Sequence, residues 1–358
     1  MEVKSITLDN FRNLRHLELD LSPRTTFILG NNGQGKTNIV EGIYFAIRNR
    51  SFRVPYRESL ILDGEDFLKA RSDILDQGRS LDTEVLLQRT GESYFKVNSK
   101  ALRSFQSLLT LFPTVVFQPE DLILVKGSPS VRRELLDELI VMQGKKSSGN
   151  VLLFERVLQQ RNSLLKQAHG KLSQDVQDTL SVWDDRLSTA GEDLASLREN
   201  VLVELSSWLV EAYSIIAKES LDLTLKYRRS WSGDLLEALN RSHAADLQRG
   251  STTLGPHRDE LDFLIGGKVA RYHASQGEAR AIAVAIRLAM ILYLQQKLGT
   301  IPVVFLDDVT SELDEERVKR LFDSIPKAQV LVTGTILPKD FDVDRVLRVE
   351  QGRIKAAI

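Results

Sequence analysis

Between a strand-like run and a helix-like run stand eight residues, Gly30-Asn31-Asn32-Gly33-Gln34-Gly35-Lys36-Thr37, and they restrict the fold more than any other feature of the chain. Thr25-Thr26-Phe27-Ile28-Leu29 before them is β-branched and apolar, as a buried strand is. Residues 38–47 after them carry apolar side chains at helical spacing. A glycine-rich turn in that context is a phosphate-binding loop. Gly30, Gly33 and Gly35 let the backbone turn and aim successive N–H groups at phosphate oxygens above a helix N-terminus. Lys36 is placed to neutralise the β and γ phosphates, and the Thr37 hydroxyl to ligate Mg²⁺.

The chain has 358 residues, no cysteine and a formal charge of -1. At about 150 residues per domain it holds two or three, with a large core and no need of a covalent staple. Disulfides, thiolate metal sites and cysteine nucleophiles are excluded, which fits a reducing cytoplasm. The charged opening Met1-Glu2-Val3-Lys4-Ser5 predicts no signal peptide, and no uncharged run is long enough to span a membrane. Near-neutral charge does not decide partners, because a basic face can be balanced elsewhere.

No proline occurs between Pro129 and Pro256, and such a gap favours long helices. Ser128-Pro129 reads as an N-cap and first helical turn, and residues 144–149 read as a flexible loop. Leu172, Val176, Leu180, Trp183, Leu187, Ala190, Leu194, Leu197, Val201, Leu205 and Trp208 recur at steps near four and three, a seam for another helix. Its span of roughly 60 Å suits an intramolecular helix pair better than an intermolecular coiled coil. On either side, residues 6–8, 17–21, 84–88, 94–97, 114–117, 260–265, 303–306, 330–333 and 346–350 read as strands. One α/β domain built from 1–125 and 253–358, interrupted by a mainly helical insert over 126–252, follows from that pattern.

Val303-Val304-Phe305-Leu306-Asp307-Asp308 is an apolar run ending in two acids, the pattern of a central parallel strand with functional residues at its carboxyl end. Asp307 can hold the Mg²⁺ that Thr37 also binds, and Asp308 can deprotonate the water that attacks the γ phosphate. Being one methylene shorter than glutamate, Asp308 predicts hydrolysis that is slow or needs an ordered water. Ser275 and Glu278 form a capping box at the head of an alanine-rich helix, and Gly277 between them allows close approach.

The order of the phosphate loop, Ser275-Gln276-Gly277-Glu278, Asp307-Asp308, Ser311-Glu312-Leu313-Asp314 and Thr333-Gly334-Thr335 resembles the ATP-binding-cassette ATPases. The resemblance implies an ATPase head with a mixed sheet, and a head-to-tail dimer in which Ser275, Gln276 and Gly277 of one copy close on ATP held by the other. It makes Gln118, in Phe117-Gln118-Pro119-Glu120-Asp121, a sensor of Mg²⁺ and of the attacking water. The switch histidine of transporters would fall at Thr333-Gly334-Thr335, so its role is not filled.

Asn10-Phe11-Arg12-Asn13, Ser51-Phe52-Arg53, Gly127-Ser128-Pro129 with Arg132-Arg133, and Gly255-Pro256-His257-Arg258-Asp259, taken with the motifs above, resemble the RecF family of bacterial recombination mediators across essentially the whole chain. Glu278 departs from the glutamine expected there. The resemblance implies that Arg12 and Asn13 reach the nucleotide, and that an ATP-dependent dimer binds single-strand/double-strand DNA junctions at gaps. With RecR and RecO it would support RecA loading, replication restart and SOS induction.

Residue patterns add Arg48, Arg50, Arg53 and Arg57, interleaved with Phe52 and Tyr56, as DNA-contact candidates, and Lys126, Arg132, Arg133, Lys145 and Lys146 as further ones. The plain alternative is a solvated charged face. His257 and Arg258 are expected near the dimer interface, since the five histidines are too scattered for a metal site. The competing functional classes are a transporter nucleotide-binding subunit, another P-loop ATPase or kinase not acting on DNA, and a structural coiled-coil protein with a vestigial nucleotide site, against which the complete acid pair and magnesium ligands stand.

Overall fold

Along Glu2–Phe11 (β1) Val3, Ile6, Leu8 and Phe11 are buried; plain alternation holds from Ile6 to Leu8, with a register shift between Val3 and Ser5 and Asn10 at φ 55 bringing the two ends inward. The computed structural model describes every residue except Pro55, 103–104, 219–221, Thr300, 339–340 and Ile358. Contacts divide the chain into two compact units. The first comprises Met1–Asp121, Ala212–Glu219 and Val284–Ile358, and the second Leu122–Glu211 and Ser220–Ala283.

In the first unit, β1 pairs on one side with Leu14–Asp20 (β2) and on the other with Phe67–Asp76 (β4). Arg79–Gln88 (β5), Tyr94–Val97 (β6) and Lys100–Ala101 (β7) continue this antiparallel sheet. A second, mixed sheet runs β15-β14-β3-β13-β12-β8. Its strands are Thr25–Leu29 (β3), Thr114–Phe117 (β8), Val303–Leu306 (β12), Val330–Gly334 (β13), Arg345–Glu350 (β14) and Arg353–Ala357 (β15). All neighbours are parallel except the β14/β15 hairpin. Strands β8, β12 and β13 are buried along their whole length, as strands covered on both faces must be.

Lys36–Arg48 (α1) is buried nearly all round and shares one apolar cluster with both sheets. A Cβ at Gly42 would stand 2.3 Å from Cδ1 of Leu8, so any other residue there would force the buried Leu8 side chain to move. The two sheets are also tied by one polar side chain. The Gln329 amide oxygen accepts from the Val3 N–H at 2.8 Å, and its nitrogen donates to the carbonyls of Val3 at 2.7 Å and Ser22 at 2.8 Å. The unit is completed by Phe105–Leu111 (α2) and by helices beyond residue 300 described with the site.

The second unit carries Leu122–Lys126 (α3), Pro129–Met142 (α4), Lys145–Gln167 (α5), Leu235–Arg249 (α7) and Ala270–His273 (α8). It also holds a three-stranded sheet of Leu223–Arg228 (β9), Glu260–Ile265 (β10) and Lys268–Val269 (β11). From Val176 on, the expected seam lies on one unbroken helix, Gln174–Ala217 (α6), whose Leu180, Leu187, Leu194, Val201 and Leu205 are buried, while Leu172, the seam's first expected residue, precedes the helix and is exposed. Its partners are within the same chain, because Leu180 packs with Leu165 of α5 and Leu247 of α7.

An ionic cluster locks the same three helices. Arg161 donates from Nε to Asp184 at 2.6 Å and from Nη1 to Asp246 at 2.7 Å, all three fully buried.

Two expectations need correction here. Residues 144–149 are not a loop: Gly144, at φ 135, ends α4's connection and α5 starts at Lys145. The Ser148 N–H donates to the Gly144 carbonyl at 3.0 Å, and burial of Ser148 and Val151 holds that first turn. Ser128 does precede α4, but its side chain caps nothing; its hydroxyl pairs with that of Ser130 at 2.7 Å.

Candidate nucleotide site

Parallel strands bring their carboxyl ends to one edge, and there Gly30, Gln118 and Asp307 follow β3, β8 and β12. The Gly30 N–H donates to the carbonyl of Gly334 at the end of β13, at 3.2 Å. Gly35 caps α1 at φ 97, a conformation only glycine adopts without strain, and a Cβ there would press on the Asn13 amide at 2.9 Å. The loop tip, Asn32 and Gly33, is exposed, while Gln34 anchors it by accepting the N–H of Gln351 at 2.7 Å and that of Gly352 at 2.8 Å. The Lys36 ammonium donates to the Asn31 carbonyl at 3.0 Å. Burial pulls its pKa down, and the charges of Asp308 and Asp307 resist that.

Asp307 is the hub of the acidic side. Its Oδ1 accepts from the hydroxyls of Thr37 and Thr333, each at 2.8 Å, and the Thr333 hydroxyl accepts the Asp308 N–H at 2.9 Å. Burial raises the Asp307 pKa, opposed by those two hydroxyls and by the charge of Arg53. Asp308 takes a left-handed conformation, φ 52, at the head of Val309–Glu312 (α10), and accepts the Ser311 hydroxyl at 2.7 Å. Beyond it, Asp314 caps Glu315–Ser324 (α11). Thr333, at the place where a switch histidine was looked for, is therefore a link between both acids. Nothing in its sequence context signalled that.

Gln118 supplies a test of metal fit. Its N–H is held by Asp121 at 3.1 Å, which Arg287 grips in turn at 2.6 and 3.1 Å, yet its buried side-chain oxygen has no partner among the described residues. Such an orphan oxygen, with the Thr37 hydroxyl and the Asp307 carboxylate, is the hard oxygen donor set that Mg²⁺ takes alongside phosphate oxygens. The three expected metal ligands fit the ion.

Ser275, Gln276 and Gly277 lie in the second unit, exposed at the head of Gln276–Leu298 (α9). The expected capping box is present: the Ser275 N–H donates to Glu278 at 2.8 Å and the Glu278 N–H to the Ser275 hydroxyl at 3.2 Å. Those two bonds lower the Glu278 pKa, so glutamate serves where glutamine was expected. A Cβ at Gly277 would meet nothing within 4 Å.

Residues 2–352 match the model of the RecF/RecN/SMC N terminal domain. Proteins named DNA replication and repair protein RecF are similar over nearly the whole chain. That of Leifsonia xyli subsp. xyli is 34% identical across 99% of both chains. The one from Streptomyces avermitilis is 36% identical across 97% of this chain and 96% of its own. The chain belongs to the RecF family. A solved structure described as the recombination mediator protein RecF-ATP in the RecFOR pathway superposes with a TM-score of 0.91 at 30% identity, covering 100% of this chain and 97% of that one. An SMC head bound to a domain of ScpA shares the fold at a TM-score of 0.59 and 16% identity. The fold is thus the ATPase head of the RecF and SMC class, and the chain is an ATPase of that class.

Within this family frame the other expected contacts divide sharply. Asn13 stays at the loop, accepting the Asn38 amide at 2.7 Å, whereas Arg12 is gripped by Glu41 of α1 at 2.8 and 3.0 Å. Arg48 is not a surface cation. It is fully buried and donates to the Phe112 carbonyl at 2.8 Å. Arg57 is half-buried against the Phe45 ring, while Arg50 and Arg53 are exposed beside an open Tyr56. Lys126 caps α8 by donating to three carbonyls, Arg132 pairs with Glu260 at 2.7 Å, and Arg133 donates to the Asp259 carbonyl at 2.7 Å. Lys145 and Lys146 remain exposed. His257 turns inward, with Nε2 3.0 Å from the Thr252 carbonyl and its ring 6.1 Å from that of Phe154, while Arg258 faces solvent. Sequence charge counts could not separate these internal contacts from a solvated face, because the partners of Lys126, Arg132 and Arg133 stand more than a hundred residues away.

Proposed function

We propose that the chain is an ATP-dependent recombination mediator of the RecFOR pathway, in which two copies close head to tail on two nucleotides and hold DNA at single-strand/double-strand junctions of gaps. RecR and RecO would be its partners there, RecA loading the step supported, and the cytoplasm its place of work. The observation that carries this reading is the meeting of Lys36, Thr37 and Asp307 at the phosphate loop, with Gln118 following the strand next to that of Asp307 and its oxygen without a partner among the described residues, in a chain similar to a structure described as RecF-ATP.

Lys36 and the backbone donors of residues 30–37 bind and orient the triphosphate. Thr37, Asp307 and Gln118 would hold Mg²⁺, which supplies positive charge against the phosphate oxygens. Asp308 accepts the proton of the attacking water, and Ser311 keeps its carboxylate aimed. Ser275 and Gly277 serve the nucleotide of the other copy, an assignment supported by Gly277 having, among the described residues, no neighbour within 4 Å of a Cβ that would require glycine there.

The test is retention of gapped DNA on a filter with and without ATP over a salt series. Retention that needs ATP and falls with salt supports the reading. Equal retention without nucleotide, or none, sinks it. The relatives do not favour the transporter-subunit alternative.

A further inference from the structure

Glu41 lies fully buried on α1, one turn beyond Thr37. A lone carboxylate there would be strongly unfavourable, so its partners matter. Its Oε1 accepts from Nη2 of Arg12 at 2.8 Å and from the Ser51 hydroxyl at 2.5 Å, and its Oε2 accepts from Nε of Arg12 at 3.0 Å. Nη1 of Arg53 stands 3.5 Å from the same Oε2.

Ser51 extends the grip to the following loop. Its oxygen accepts the backbone N–H groups of Arg53 at 2.9 Å and Val54 at 3.0 Å, so the segment carrying Arg53 is latched to α1 through Glu41. Arg53 leads back to the phosphate loop, because its Nη1 donates at 3.2 Å to Asn38, the residue after Thr37. Arg53 is also the cation whose charge favours ionised Asp307.

Charge and exposure then decide between a structural and a functional arrangement. One bidentate arginine already neutralises Glu41. A second guanidinium leaves one positive charge in excess beside a site for a highly anionic ligand. Arg53 is 41% exposed against 18% for Arg12, and its contact with Glu41 is the longer one. Arg12 is therefore clamped, and Arg53 is held lightly enough to turn.

We propose that Glu41, its charge already balanced by Arg12, is a positioning residue for ATP hydrolysis that acts through the Ser51 latch to set Arg53 at the γ-phosphate end of the site. This rests on the ATPase reading of the loop.

Glu41→Gln keeps the shape and removes the charge. Its Kd for ATP is expected within about threefold of the parental value, while single-turnover hydrolysis slows by roughly ten- to a hundredfold, the scale of a misplaced catalytic group. Arg53→Gln should show the same split, and the double variant should be no slower than Arg53→Gln alone. Hydrolysis by Glu41→Gln at the parental rate, or losses that multiply in the double variant, would overturn the proposal. Should Glu41→Gln fail to fold, Ser51→Ala keeps the buried ion pair, releases only the latch and must give the same split. A parental protein without ATPase activity defeats the nucleotide reading and this inference together; a normal parent beside a normal Glu41→Gln defeats this inference alone.

Discussion

Lys36 shows how one side chain ties backbone shape to chemistry. It is 6% exposed, its ammonium rests on the Asn31 carbonyl, and two aspartates favour its charge. A methionine fills nearly the same volume without the charge, so Lys36→Met should fold normally and weaken ATP binding by on the order of a hundredfold, the scale of a charge-assisted contact. Equilibrium titration checks this, and parental affinity would remove Lys36 from the site. Asp308 makes the complementary case. Its carboxylate stands outside the Thr37, Asp307 and Thr333 hydroxyl network and contacts only Ser311 among the described residues, which leaves it free for a water. Asp308→Asn should retain ATP binding and lose on the order of a hundred- to ten-thousandfold in hydrolysis, the span of a general base. Quenched-flow turnover at the parental rate would show that another group takes the proton.

Elements are held in register by polar ties that hydrophobic pattern does not announce. Gln329, just ahead of β13, bonds β1 and the chain after β2 through three buried contacts. Gln329→Leu should destabilise the first unit by about 2–4 kcal/mol, since the N–H of Val3 and two carbonyls lose their partner in a dry place. Urea unfolding with an unchanged m-value measures it, and a loss below experimental scatter would mean that the backbone repairs itself. In the second unit, His257 follows the sharp turn at Gly255. Burial, followed by the charges of Arg258 and Arg133, pushes its pKa down to about 4 despite the Thr252 carbonyl. An unfolded histidine titrates near 6.5. The stability from keeping this ring neutral is therefore complete above about pH 6.5 and falls as pH drops towards 4. His257→Gln should flatten that part of a melting-temperature profile against pH, and an unchanged slope would assign the acid loss elsewhere.

At the scale of the whole molecule, the exposed capping box at Ser275 and the unobstructed Gly277 face outward from the second unit. A long cation there should leave each copy able to bind ATP and unable to pair. Ser275→Arg is thus expected to run as a monomer by light scattering with ATP, where the parent doubles in mass, and an unaltered dimer peak would refute a shared site. The phosphate loop, the acid pair and the strands beside them were legible in the chain because their chemistry is local: glycine conformations, an apolar run ending in acids, a cap three residues from its partner. Strand β4 was not read from the sequence: Leu68, Ala70, Ser72 and Ile74 alternate inward, but the charged Lys69, Arg71 and Asp73 between them hid the pattern. What the sequence settled by itself was the kind of site and the order of its parts, because those depend on residue type and short spacing. Tertiary structure alone decided which cations are internal, why Thr333 joins two acids and where Glu41 finds two arginines. Those facts are pairings across distant segments, and the free energy of a buried charge depends on neighbours that only folding brings within reach.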